Sequence, residues 1–152
     1  MNNIQAYHCA RQYYQHAYYV DHISKVVMFA YHNLIEAKLP FFEDIIVCCY
    51  LHDLIEDGLC TTEDLRNNGL TNEQAHSLAC VTRITGESYR DFLKRCCSDE
   101  VATYTKFCDI SQNYQRCIVG GSYDRASYYL GKLQYVLSIL KEYNESRRVH
   151  NC

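Results

Sequence analysis

Residues 43–57 read "EDIIVCCYLHDLIED", and how this stretch is read decides the fold. From Ile45 to Leu51 it is apolar almost all round, the pattern of a helix surrounded by other helices rather than one lying on a surface. The spacing predicts one helix over about 42–56, at the centre of an all-helical bundle. Its C-terminal end then carries His52, Asp53, Glu56 and Asp57 toward the interior, with His52 and Glu56 one turn apart on one face and Asp53 and Asp57 beside them. Buried imidazoles and carboxylates have to be paired or bound to a metal, because leaving them alone costs several kcal/mol each.

The rest of the chain agrees with a bundle. Proline occurs once, at Pro40, and no segment alternates apolar and polar residues with the period of two that a half-buried strand needs. Thr71 with Gln74 makes a capping box, Thr61 with Asp64 a weaker one, and Ser98 and Ser122 are further N-cap candidates. Gly69 and the Gly120-Gly121 pair are the matching stops. The predicted helices lie at about 3–16, 20–37, 42–56, 62–68, 72–84, 87–96, 99–118 and 123–143. The expectation is therefore an all-α, single-domain helical bundle over 1–144, with "ESRRVHNC", 145–152, as a frayed tail.

Composition narrows the function. The 15 basic and 18 acidic side chains leave a formal charge of -3, without the basic field that holds nucleic acid. No apolar run approaches the roughly 20 residues that span a bilayer, and "MNNIQAYHCARQYYQHAYY" lacks the basic end and apolar stretch of a signal peptide. These features predict a soluble, cytoplasmic protein that binds neither membrane nor nucleic acid. The 10 cysteines fit that expectation: Cys48-Cys49 and Cys96-Cys97 are adjacent, no pair has zinc-knuckle spacing, and several sit in helical apolar patterns where a thiol packs as a small hydrophobe. The tyrosine doublets Tyr13-Tyr14, Tyr18-Tyr19 and Tyr128-Tyr129 read as packing at the core margin.

A lone His-Asp dipeptide usually marks no more than a histidine bonded to a neighbour at a helix end. Here it has company. In "YTKFCDISQNYQR", Lys106, Asp109, Asn113 and Arg116 recur at helical spacing as one polar stripe opposite Phe107 and Ile110, suited to an anionic ligand or, equally, to a solvated outer face. Upstream, "YYVDHISKVVMFAYHNLI" brings His22 to the start of a second apolar helix. Two histidines and two aspartates from three helices make a donor set for a divalent ion that accepts mixed nitrogen and oxygen ligands, Mn2+ first, Fe2+ or Zn2+ next. Such an ion makes hydroxide available at neutral pH.

Five ordered segments carry a family resemblance that spans about Ala6 to Leu140: "YYVDHISKV", "YLHDLIEDG", "TTEDLRNNGL", "VTRITGESYRDFLKR" and "TKFCDISQN". The chain resembles a small single-domain member of the HD superfamily of metal-dependent phosphohydrolases, most of all those related to the hydrolase domain of RelA/SpoT alarmone enzymes. The resemblance implies that His22, His52, Asp53 and Asp109 are metal ligands, and that Glu56 and Asp57 position or activate the metal-bound water. It further implies that Asn113 contacts the nucleotide and that Arg11 meets a phosphate, while Lys106 precedes the fourth ligand and Arg116 extends the same stripe. Two positions depart from the pattern: Ile23 stands where the family has proline, and Gln12 where a second basic residue is expected.

The implied activity is (p)ppGpp-type 3'-pyrophosphate removal by a metal-activated water. The alternatives are a nucleotide phosphatase of the same superfamily, a 5'-nucleotidase or an NADPH or dNTP phosphohydrolase, and a non-catalytic nucleotide-binding domain with the same fold.

Overall fold

A computed structural model describes residues 1–150, with the side chain of His150 excepted. It is all-helical: α1 (Asn3–Tyr13), α2 (His16–Tyr18), α3 (Ser24–Leu34), α4 (Phe42–Leu51), α5 (Thr62–Asn67), α6 (Asn72–Val81), α7 (Tyr89–Cys96), α8 (Glu100–Val119) and α9 (Tyr123–His150). Between α2 and α3 the chain stays right-handed helical through a wide π-turn, Tyr19–Ile23, so that the three pieces form one rod.

The centre of the bundle is α4, which touches α1, α3, α6 and α8. Its residues divide between two apolar clusters. Val47 and Leu51 pack with Ala6, Ile23, Leu78 and Phe92, whereas Ile45, Ile46 and Cys49 pack with Val26, Ala30, Ile110 and Val136. A helix with core on two sides has to be apolar on both, which is what 45–51 shows. Among the described residues no helix is long and apolar enough to cross a membrane. The described cysteines are free thiols, all buried but Cys60, as small-hydrophobe packing requires.

Local signals act largely where expected. The capping boxes Thr71 with Gln74 and Thr61 with Asp64 are both complete. At α8 the cap is Asp99, which accepts from the Ala102 N–H, and the Ser98 hydroxyl instead donates to the Arg95 carbonyl. An aspartate one residue nearer the helix is the better placed acceptor. Ser88 caps α7 by accepting from the Asp91 N–H. Gly121, with φ of 73°, turns the chain from α8 into α9.

Two expectations are overturned. The helix predicted over 42–56 ends at Leu51, and 52–58 are overlapping turns closed by Gly58 at φ 66°. The reason lies in the backbone partners. In a continued helix the Cys49 carbonyl would accept from the Asp53 N–H. Instead it faces His52 Nδ1 at 3.0 Å, and the Asp53 N–H donates to the Tyr14 hydroxyl at 3.2 Å. The tail is not frayed up to residue 150, because α9 runs on to His150 with Arg147 paired to Glu100 and bonded to the Tyr104 hydroxyl. The last two positions of that expectation, 151 and 152, lie outside the described residues.

Candidate metal centre

Two irregularities of the backbone and one regular helix build the site. The π-turn delivers His22: the Ser24 N–H donates five residues back to the Tyr19 carbonyl, and the Ser24 hydroxyl takes the Val20 carbonyl that the wide turn leaves over, at 2.9 Å. Such single wide turns inside helices are frequent at functional sites. The break after α4 delivers His52 and Asp53. The middle of α8, which is regular, delivers Asp109.

The four side chains meet in a closed ring. His22 Nε2 stands 3.2 Å from Asp109 Oδ1 and 3.7 Å from Asp53 Oδ2, and His52 Nε2 stands 3.2 Å from Asp53 Oδ2 and 3.7 Å from Asp109 Oδ1. Donors about 2.1 Å from a common ion would be about 3.0 Å apart at right angles and about 3.4 Å apart at the tetrahedral angle; the adjacent pairs have that spacing, and His22, His52 and Asp53 offer donor atoms all within 4.8 Å of one another. His22, His52 and Asp109 are buried, and Asp53 is the member that reaches solvent.

One atom makes the fit specific. His52 Nε2 is buried and without a hydrogen-bond partner, while Nδ1 of the same ring is engaged by the Cys49 carbonyl. When Nδ1–H donates to that carbonyl, Nε2 is the ring nitrogen left to bind an ion in place of a proton. This is the tautomer and the outer-shell support that metal-bound histidines have.

The carboxylates are held in place from outside. Lys106 Nζ lies 2.7 Å from Asp109 Oδ2, Asn113 Nδ2 donates to Asp109 Oδ1 at 2.8 Å, and Arg116 donates to Asn113 Oδ1 at 2.8 Å. The Tyr18 hydroxyl donates to Asp53 Oδ2. The stripe Lys106, Asp109, Asn113, Arg116 is thus a hydrogen-bonded chain that runs from exposed Arg116 inward to buried Asp109.

The two carboxylates of the ring favour positive charge between them. Burial works against the His52 imidazolium, yet Asp53 and Asp109 outweigh it and push its pKa well above the ordinary imidazole range. Burial would also raise both aspartates, but His52 brings Asp53 down to about 2, and Lys106 with the two histidines holds Asp109 well below the carboxylate range. A carboxyl held below its unfolded pKa of about 3.9 contributes stability that is complete above that value and lost as the pH falls through the folded pKa. Urea unfolding of the metal-free chain should therefore show stability falling steeply between about pH 4 and pH 2. Asp53→Asn should flatten that slope, and an unchanged slope would refute the pairing.

The other expected residues are placed as follows. Glu56 does not share a helix face with His52, because the turns after Leu51 swing it outward, where its carboxylate accepts from the Arg83 N–H at 3.0 Å. Asp57 is exposed as a residue, and partial desolvation of its carboxyl by the neighbouring chain, then Asp53 and Glu56, raise its pKa. Arg11 is bonded to His16 at 2.9 Å and lies over the Tyr19 ring. Arg116 and His22 both border a groove of about 520 Å3 between α3 and α8, with Lys25 and Phe29 on its wall.

Sequence reasoning missed Tyr14 and Tyr18. The sequence held one clue for Tyr18: it stands four residues before His22, one turn away on the same rod. Tyr14 reaches Asp53 from another helix, and nothing local announces it. The chain matches no family model and no curated protein.

Proposed function

We propose that this chain is a metal-dependent phosphohydrolase of the HD type acting on a nucleotide, with (p)ppGpp-type 3'-pyrophosphate removal as its reaction. The observation that carries this reading is the Nε2 of His52, without a hydrogen-bond partner, inside a ring of two imidazoles and two carboxylates. A divalent ion of the Mn2+ kind, held by His22, His52, Asp53 and Asp109, would supply an acidified water and draw charge from phosphoryl oxygens.

The chain's own groups have separate tasks. Lys106 and Asn113 fix Asp109, and Tyr18 fixes Asp53, so that the donors are in position before an ion arrives. Asp57 is the carboxylate that accepts a proton, because its raised pKa makes it a stronger base than an ordinary aspartate. Glu56, through its bond to the Arg83 N–H, holds the segment after α6 against the site. Arg116, exposed on the rim of the groove beside His22, is a cation left to meet the nucleotide. The engagement of Arg11 by His16 and Tyr19 favours one rival, loss of a simple phosphate from another nucleotide, since it draws a phosphate-binding charge away.

A substrate panel with Mn2+ tests this: ppGpp, pppGpp, NADPH, and ribo- and deoxynucleotide mono- and triphosphates. Pyrophosphate release from ppGpp would support the alarmone reaction, and free phosphate from another nucleotide would support the rival. Silence across the panel with metal bound would refute the enzyme reading for these substrates. Asp57→Asn is expected to keep the metal and slow turnover about 10²–10⁴-fold, the usual contribution of a general base. Turnover within a few fold of the parent would remove Asp57 from the mechanism.

A further inference from the structure

Lys132, on α9, is held without a counter-charge. Its ammonium lies 3.4 Å from the ring centre of Tyr89 and 3.3 Å from that of Tyr128. The two ring centres are 6.4 Å apart, so the ammonium sits almost on the line between them. Among the described residues no carboxylate lies within ion-pairing distance of it. Its surroundings are cationic instead. Burial, then Lys106 and Arg83, push its pKa down to about 8, and Asp109 opposes them without prevailing.

Contacts link this clamp to the candidate metal centre: the Tyr89 ring lies 5.6 Å from that of Phe92, the Lys106 ammonium lies over Phe92 at 5.3 Å, and Lys106 pairs with Asp109. Lys106 and Asp109 both act electrostatically on Lys132 and on the Tyr89 phenol, and the Arg83 guanidinium lies over the same Tyr89 ring at 5.9 Å. An ion pair would hold a lysine in place by cancelling its charge. Two neutral ring faces hold it while leaving the charge uncancelled. A half-buried cation kept in that way, beside a second cation and linked through these contacts to the candidate metal centre, is suited to receive an anion.

The geometry points to Lys132, clamped by Tyr89 and Tyr128 and assisted by Arg83, as the anchor for the phosphate or pyrophosphate group of the substrate. This rests on the phosphohydrolase reading for the identity of the anion, although the anchor itself does not require bound metal. It gives a role to α9, which supplies none of the four metal ligands.

The test is calorimetric titration of inorganic pyrophosphate into the Mn2+-loaded protein and into the protein stripped with EDTA. The parent should bind in both states. Lys132→Met should weaken binding about 10–100-fold in both, the worth of one charge-assisted hydrogen bond, while keeping the parent's Mn2+ stoichiometry and melting temperature. Lys132→Arg should stay within a few fold of the parent. Parental affinity in Lys132→Met, or loss of binding in Lys132→Arg as large as in Lys132→Met, would overturn the anchor. A parent that takes up no Mn2+ yet binds pyrophosphate through Lys132 would refute the metal centre and support the anchor. A parent that binds Mn2+ but no pyrophosphate in either state would do the reverse.

Discussion

Asp53→Ala is expected to lose metal and turnover together. Asp53 Oδ2 is one of the two corners of the ring shared by His22 and His52, and it is the acceptor that orders Tyr18. Without it three donors remain, and His52 Nε2 loses its nearest carboxylate. The parent, desalted after loading, should retain about one Mn2+ per chain through these four groups. An ion at about a thousandfold its dissociation constant stabilises the folded state by about 4 kcal/mol. For a chain of this length that corresponds to a rise in melting temperature of about 8–16 °C. The variant should show no retained metal, no thermal shift with Mn2+, and no turnover above background. A variant that still melts higher with Mn2+ would place the ion elsewhere.

Asp109→Ala is expected to be the most destabilising single change at the site. Lys106, whose side chain is 14% exposed, lies 2.7 Å from Asp109, whose side chain is 7% exposed. Removing the carboxylate strands a buried ammonium, and breaking such a pair costs about 3–5 kcal/mol. Thermal melting should fall by about 6–20 °C. Removing both charges is a different matter, since a buried pair replaced by apolar side chains is often neutral. Lys106→Met combined with Asp109→Leu should thus recover most of the lost melting temperature while still binding no metal. Recovery of metal binding in that double variant would show that Asp109 is not a ligand, and a single variant melting within 2 °C of the parent, a shift of about 1 kcal/mol or less, would show that the pair is not energetically coupled.

The bundle was legible in the sequence because its signals are local. A helix buried on two sides must be apolar on both, as 45–51 is, and a capping box is a four-residue interaction, as at Thr61 and Thr71. The candidate ligands were legible for a related reason. Charged residues inside apolar periodicity, such as His52, Asp53 and Asp109, stand out against their neighbours. The break after Leu51 was not legible, since it depends on the Tyr14 hydroxyl arriving from another helix to take the Asp53 N–H. Glu56 was misplaced for that reason alone: its position followed from a helix that does not continue.

The sequence by itself determined the helical class, the central place of α4, the run of polar residues along α8 and the four residues with donors to offer. Only the tertiary structure decided that those donors close into one ring, that His52 Nε2 is left without a hydrogen-bond partner, that Tyr18 steadies Asp53, and that Tyr89, far away in the chain, closes over Lys132 opposite its helix neighbour Tyr128. The physical reason is one of range. Periodicity and capping are written within a few residues, whereas distances between donors from different helices are set by how those helices pack.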